Sequence, residues 1–356
     1  MKEIIVTNTD SQLIFAIQLK ITLLKGQEVD IIISDVSNGA DAICSILAKE
    51  ALFRNCYYVK SKYLISGSKV QKMKSVRSAV FGCHLFDFVN DQYDALFAYN
   101  LDMATYALFH RMTKIKHDIV FHRFEEGILS YVDWKPLLRN RIVSIAEKVL
   151  QRKDPAASTD SFYCFYPQLY KGSGRPVKVP DISRNSDIIE ILKRVFGINE
   201  SELNYKSKYI FFSSVLDFEG GKSVGEFELA KKIADLVGKE NILIKTHPRD
   251  RRNVYKEYGF AIDPHSSVPW EVIQLCGDFS GNIFLSVASS SVLAGSFMSD
   301  APVKTYYLYM LCDVTGNEQA MGSARNIQTL MSDQGIAERL HNVRIAERLE
   351  EILDEG

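Results

Sequence analysis

Short apolar runs alternate with stretches of helical periodicity along the whole of this chain. Ile4 to Val6, Val29 to Ile33, Tyr57 to Val59, Ala95 to Ala98 and Ile119 to Phe121 are brief and mostly apolar, as expected of strands covered on both faces. Between them, Gln12 to Leu24 and Ala40 to Leu52 repeat apolar residues at helical spacing. A helical run is expected over Arg139 to Arg152 and a strand over Phe162 to Phe165. Lys171 to Asp181 sets Gly172, Gly174, Pro176 and Pro180 among charges and reads as an interdomain linker. The alternation then restarts. Helices are expected at Ser186 to Phe196, Val224 to Val237 and Pro269 to Cys276, with strands at Tyr209 to Phe212, Ile242 to Ile244, Ile283 to Leu285 and near Val303 to Tyr306. This order predicts an α/β protein with parallel sheets, built as two doubly wound, Rossmann-like domains over 1–175 and 182–332 with a cleft between them. In the tail, Ile336, Leu340, Ile345, Leu349 and Leu353 stand among alternating charges, which predicts a closing helix within 333–356 on a domain surface.

Composition narrows the function classes. With 356 residues, 46% hydrophobic and 24% charged, the chain can fill two cores of roughly 150 residues each. Its 43 basic and 44 acidic residues leave a net charge of −1, so no global field draws it to nucleic acid, which is not expected as a partner. The six cysteines are scattered without a Cys-x-x-Cys pair, the usage of reduced, buried thiols in a cytoplasm rather than of a disulfide framework or a zinc site. Met1 to Asn8 reads as a strand, not as a secretion signal, and no run approaches the ~18 to 20 apolar residues that span a bilayer. A cytoplasmic protein is expected, with any membrane contact peripheral. Lys60, Lys62, Lys69, Lys72, Lys74 and Arg77 could touch a phosphorylated glycolipid there, or form a solvated helix face.

Four constellations carry chemistry. Glu125, Glu126 and Gly127 follow the Ile119 to Phe121 run, where a carboxylate at a strand end suits a general base, although acidic pairs beside glycine also make solvated turns. Lys245-Thr246-His247-Pro248-Arg249 follows another apolar run. Pro248 keeps His247 extended, and Lys245 and Arg249 would flank the imidazole with positive charge for an anionic ligand. Pro269-Trp270-Glu271 opens a helix whose carboxylate can cap its own start or accept ribose hydroxyls. Ser289, Ser290 and Ser291 precede a helical turn, where hydroxyls and unpaired N–H groups hold phosphate or simply cap. Where negative charge builds on a phosphate, fixed donors of this kind stabilise it. The chain has no Asp-x-Asp sequence and no histidine clustering that would hold a metal, so activity is expected to survive chelation.

Lys-x-His-Pro, Pro-x-Glu and a serine pair in this order, preceded by an acidic-acidic-glycine turn, resemble the bacterial sialyltransferases of glycosyltransferase family 52, the lipooligosaccharide and capsule type, and share motif order with the bacterial polysialyltransferases. Val6 to Gln12 and Phe165 to Tyr170 are similar to that family as well. The resemblance implies a GT-B fold and an inverting, metal-independent transfer from CMP-sialic acid to a glycan or glycolipid hydroxyl. It implies that His247 serves the departing phosphate, that Ser290 with Ser289 or Ser291 holds its oxygens, and that Glu271 binds the ribose. Lys245, Pro248, Arg249 and Pro269 would complete the donor side, with Thr9 and Gln12 on the acceptor side. The base would be Glu125 or Glu126; within the family it can instead lie upstream of the histidine, which makes Asp217 and Glu219 rivals. A homodimer stays open. Two alternatives stand beside this reading: a CDP-glycerol-type phosphotransferase or a transferase of another sugar nucleotide, and a nucleotide-binding scaffold without activity.

Overall fold

The computed structural model describes residues 1–353 apart from 38, 66–74, 81–82, 133–144, 146–147, 150–152, 184–185, 267 and 300–301. Most of the helical run expected over Arg139 to Arg152, and Lys69, Lys72 and Lys74, lie outside the described residues. The chain divides into two compact units, Met1–Pro180 with Glu190–Phe196, and Asp181–Ile189 with Gly197–Gly356.

The first unit is built on seven strands: β1 (Lys2–Thr7), β2 (Glu28–Ser34), β3 (Cys56–Val59), β4 (Ala95–Ala98), β5 (Val120–Phe124), β6 (Thr159–Cys164) and β7 (Arg175–Lys178). They lie parallel in the order β3-β2-β1-β4-β5-β6-β7. Ile5 pairs with Ile31 on one side and Phe97 on the other, so the centre of the sheet is apolar on both faces. The Asp10–Ile21 helix starts from Thr9, whose hydroxyl accepts the Gln12 N–H, and the Met103–Ile115 helix starts from Asp102, which accepts the Thr105 N–H. Leu108, Phe109 and Met112 pack with Ile4, Leu96 and Phe121 in the core.

The second unit repeats the plan with β8 (Tyr209–Phe212), β9 (Ile242–Lys245), β10 (Ala261–Ile262), β11 (Ile283–Ser286), β12 (Lys304–Tyr307) and β13 (Val343–Ile345), all parallel in the order β10-β9-β8-β11-β12-β13. Trp270, in the Trp270–Cys276 helix, packs edge-on against Phe212 and Phe284, which closes one face of this sheet. In both units the strand order reverses beside the first strand, between β1 and β4 and between β8 and β11. Such reversals open the crevices where α/β sheets bind ligands.

Two expectations change. The segment read as a linker contains β7, whose Pro176 pairs with Phe162; proline is tolerated there because β7 is an edge strand. The tail is not one closing helix. It forms a short turn of helix (Gln334–Ala337), then β13, then a 3-10 turn (Leu349–Leu353). Pairing with the edge of β12 satisfies the backbone of Val343 to Ile345, which outweighs the helical spacing of the apolar residues.

Candidate functional site

In the second unit the chain leaves β8 through Ser213 to Leu216, β9 through Thr246 to Arg249, and β11 through Val287 to Ser291. Because β8 lies between β9 and β11, these three connections meet at the reversal point. They line a cavity of about 340 Å³ with His247, Pro248, Ser289, Ser290 and Ser291 in its wall.

His247 is held at two points. Its main-chain N–H donates to Ser213 Oγ at 3.1 Å, and Nδ1 accepts the Arg249 main-chain N–H at 3.1 Å. With Nδ1 accepting, the ring proton resides on Nε2, so the imidazole is a donor from its other edge. Burial, and then the neighbouring Arg249 charge, push its pKa below the ordinary imidazole value. The serine segment is fixed through its first member. Ser289 N–H donates to Ser286 Oγ at 2.8 Å, Tyr307 OH donates to Ser289 O at 3.1 Å, and Ser289 Oγ accepts the Ser291 N–H at 3.4 Å. Among the described residues the Ser290 and Ser291 hydroxyls have no partner in the chain. Ser289 therefore caps, and the other two remain for a ligand.

Lys245 pairs with a carboxylate and does not line the His247 cavity, but its charge still lowers the imidazole pKa. It ends β9, is 7% exposed, and its ammonium lies 3.4 Å from Asp263 Oδ2 and 3.4 Å from Ser266 O. Burial pulls its pKa down while Asp263 pulls it up. Arg249 is exposed and bonded to Glu219 Oε2 at 2.7 Å. Pro269 occupies the cap position of the Trp270–Cys276 helix rather than its first turn, and Glu271 is half-buried just inside it. Neither residue lines the His247 cavity.

The rival acids after β8 are engaged in structure. Asp217 accepts the main-chain N–H groups of Gly225, Glu226 and Phe227 at 2.9 Å each, together with Ser223 Oγ at 2.8 Å, so it caps the Glu226–Val237 helix. Gly221, at φ 129°, approaches the next segment so closely that a Cβ would lie 2.3 Å from Gly316 O. Behind this loop Glu226 is fully buried and accepts the Ser214 N–H at 2.8 Å; burial raises its pKa to about 8.

The first unit gathers a second set of predicted residues. Glu125 is 2% exposed and accepts the Phe165 N–H at 2.8 Å and the Tyr131 hydroxyl, an inward structural role. Glu126 is half-buried at the carboxyl end of β5, where its Oε1 accepts Thr9 Oγ1 at 2.9 Å and Gln12 Nε2 at 2.8 Å. Thr9 and Gln12 come from the carboxyl end of β1. Burial raises the Glu126 pKa, and the two hydrogen bonds offset part of that rise. Of the adjacent pair, only Glu126 combines partial exposure with an oxygen, Oε2, that has no partner among the described residues.

Sequence reasoning missed the Glu318–Ser332 helix, which adds Gln319 and Ser323 to the cavity wall. Its signal was present: Asn317 precedes Glu318 as an N-cap and accepts the Ala320 N–H at 3.0 Å. Ser213 and Ser214, at the end of β8, were missed as supports for His247 and the cavity. Among the described residues no group of three or more His, Cys, Asp or Glu is arranged to hold a metal ion, and no helix is long and apolar enough to cross a membrane.

No protein-family model and no curated protein matches the chain in sequence. Solved structures match it in shape. UDP-GlcNAc 2-epimerase from Methanocaldococcus jannaschii is 11% identical, with 99% of this chain and 91% of that one covered, at a TM-score of 0.50. A UDP-glucosyltransferase from Polygonum tinctorium is 13% identical over 96% and 92%, at 0.48, and MurG from Acinetobacter baumannii is 11% identical over 99% and 89%, at 0.44. At such identities the likeness is one of fold, and the first of these, with the two reversing parallel sheets, identifies it: an α/β chain of two Rossmann-like domains of the GT-B type.

Proposed function

We propose that the chain is an inverting, metal-independent sialyltransferase that moves sialic acid from CMP-sialic acid to a hydroxyl of a bacterial lipooligosaccharide or capsule glycan. The observation that carries this reading is the His247 cavity, where an imidazole with its proton on Nε2 and two serine hydroxyls without a partner among the described residues line one wall. Such a wall suits a phosphate. In the reaction the acceptor oxygen forms a bond to the anomeric carbon as the bond from that carbon to the phosphate oxygen breaks. The electron pair leaves with CMP, and the acceptor proton goes to Glu126. Donors fixed toward the phosphate stabilise its growing charge, and a neutral His247 does so by hydrogen bonding. Glu271, at the start of the helix after β10, is assigned to the ribose. The order of these motifs, which resembles family 52, supports CMP-sialic acid over other donors.

Nucleotide release in the presence of a chelator tests the reading, with CMP-sialic acid, CDP-glycerol and UDP-GlcNAc supplied separately. CMP release from the first alone is expected, falling by at least ~100-fold in His247→Ala. Turnover of CDP-glycerol or UDP-GlcNAc instead would replace sialyl transfer with a phosphotransferase or another sugar transfer. Silence with all three would leave a binding protein, and loss on chelation would remove the metal-independent part.

A further inference from the structure

We infer that Gln319 and Ser323 are specificity-determining residues that hold the transferred sugar, while the nucleotide rests on other walls. The inference rests on the donor reading above. The two side chains stand four residues apart on the Glu318–Ser332 helix, hence on one face, and both line the His247 cavity. Their position is fixed. Asn317, which caps this helix, donates from Nδ2 to the carbonyls of Leu216, Glu219 and Lys222 at 2.9 Å each, tying the first turn to the loop after β8. Gly220 leaves room for this approach, since a Cβ there would lie 2.8 Å from Gln319 Cβ.

The order of the sheet decides what the pair meets. Glu271 follows β10, at one end; His247 and the serines follow β9 and β11, flanking the centre; the Gln319 helix comes after β12, on the far side. A donor with its phosphate at the centre and its nucleoside toward β10 turns its transferred group to Gln319 and Ser323. An amide and a hydroxyl both donate and accept, which matches a ring carrying hydroxyl and carboxylate oxygens. Among the described residues no Lys or Arg lines the cavity, so neutral donors would hold a sugar carboxylate.

Binding of CMP alone, measured by calorimetry, and KM for CMP-sialic acid separate the two halves of the donor. In Gln319→Ala and Ser323→Ala the Kd for CMP is expected to stay within about twofold while KM for CMP-sialic acid rises by about tenfold or more. Gln319→Glu keeps the shape and adds a negative charge, and is expected to raise KM for CMP-sialic acid further, by a larger factor than it weakens CMP, with unchanged melting temperature. Equal weakening of CMP and CMP-sialic acid would assign these residues to the nucleotide and overturn the inference; so would a KM within about twofold of the original in all three variants. If the unaltered protein neither binds CMP nor turns over CMP-sialic acid, the donor reading itself fails, before any variant is made, and the inference falls with it.

Discussion

Two acid-rich glycine loops leave strand ends in this protein, Glu125-Glu126-Gly127 after β5 and Asp217-Phe218-Glu219-Gly220-Gly221 after β8, and they put their carboxylates to different uses. In the second loop Asp217 is committed to three main-chain N–H groups of the next helix, while Glu219 is paired through one oxygen with the Arg249 guanidinium. In the first, Glu125 is turned inward onto Phe165 and Tyr131, whereas Glu126 is positioned by Thr9 and Gln12 through one oxygen only. Similar composition at similar places in a strand-loop-helix unit therefore does not mean similar work. A carboxylate whose oxygens are all occupied by the fold, as in Asp217, is a cap; one with an oxygen left over is a candidate for chemistry.

The comparison is sharpened most by Glu126→Gln. Its shape is kept and its proton affinity removed, so turnover is expected to fall by ~100-fold or more, with Glu125→Gln changing it by less than about tenfold once the folded fraction is matched. Steady-state kinetics of the two variants decides which carboxylate is the base, and equal losses would erase the distinction drawn between them. The buried acid behind the second loop is the next largest expectation. The folded-state pKa of Glu226, about 8, lies above the ordinary carboxylate value of ~4.3, so its contribution to stability is whole below about pH 4.3 and is lost as the pH rises through about 8. Glu226→Gln should therefore melt ~5 °C or more above the unaltered protein at pH 9 and within about 2 °C of it at pH 5. A gap of the same size at both values would show that its burial carries no ionisation cost. The smallest effects test the second loop itself. Asp217→Ala is expected to cost about 1–2 kcal/mol in denaturant unfolding as a lost helix cap, and Glu219→Ala, which loses a single ion pair to exposed Arg249, no more than about 0.5 kcal/mol. Equal costs would contradict the roles assigned to them.

Much of the fold was legible because strands buried on both faces must be apolar: Tyr209 to Phe212 and Ala95 to Ala98 stand where their runs predict. The edges were not. Pro176 in β7 and the mixed residues of β13 carry no such run, since an edge strand is paired on one side only and its composition is set by that neighbour. Likewise the Glu318–Ser332 helix is polar over most of its length; Ala320, Ala324, Ile327 and Leu330 are buried at helical spacing, but two of the four are alanines, so the stripe carries little apolar bulk to mark it. Among the site residues, His247 and the serines stood out because a histidine before proline and three serines at a strand end are unusual company. Lys245 has a second partner that the sequence does not show. It ends a strand, and the side to which it projects is set by the pleat, which turns it toward Asp263.

The order of apolar runs and helical stretches by itself determined that this chain forms two parallel α/β units, and it put histidine, serines and acids at the ends of strands. Which of those groups remain available was decided only by the tertiary structure, because hydrogen bonds between residues far apart in the chain occupy some and leave others. Asp217 and Glu125 are consumed by backbone N–H groups that folding brings to them, while among the described residues Glu126 keeps an unpartnered oxygen and Ser290 and Ser291 keep their hydroxyls. A lone pair already bonded cannot accept a proton or a ligand, and that occupancy is not a property of the residue type.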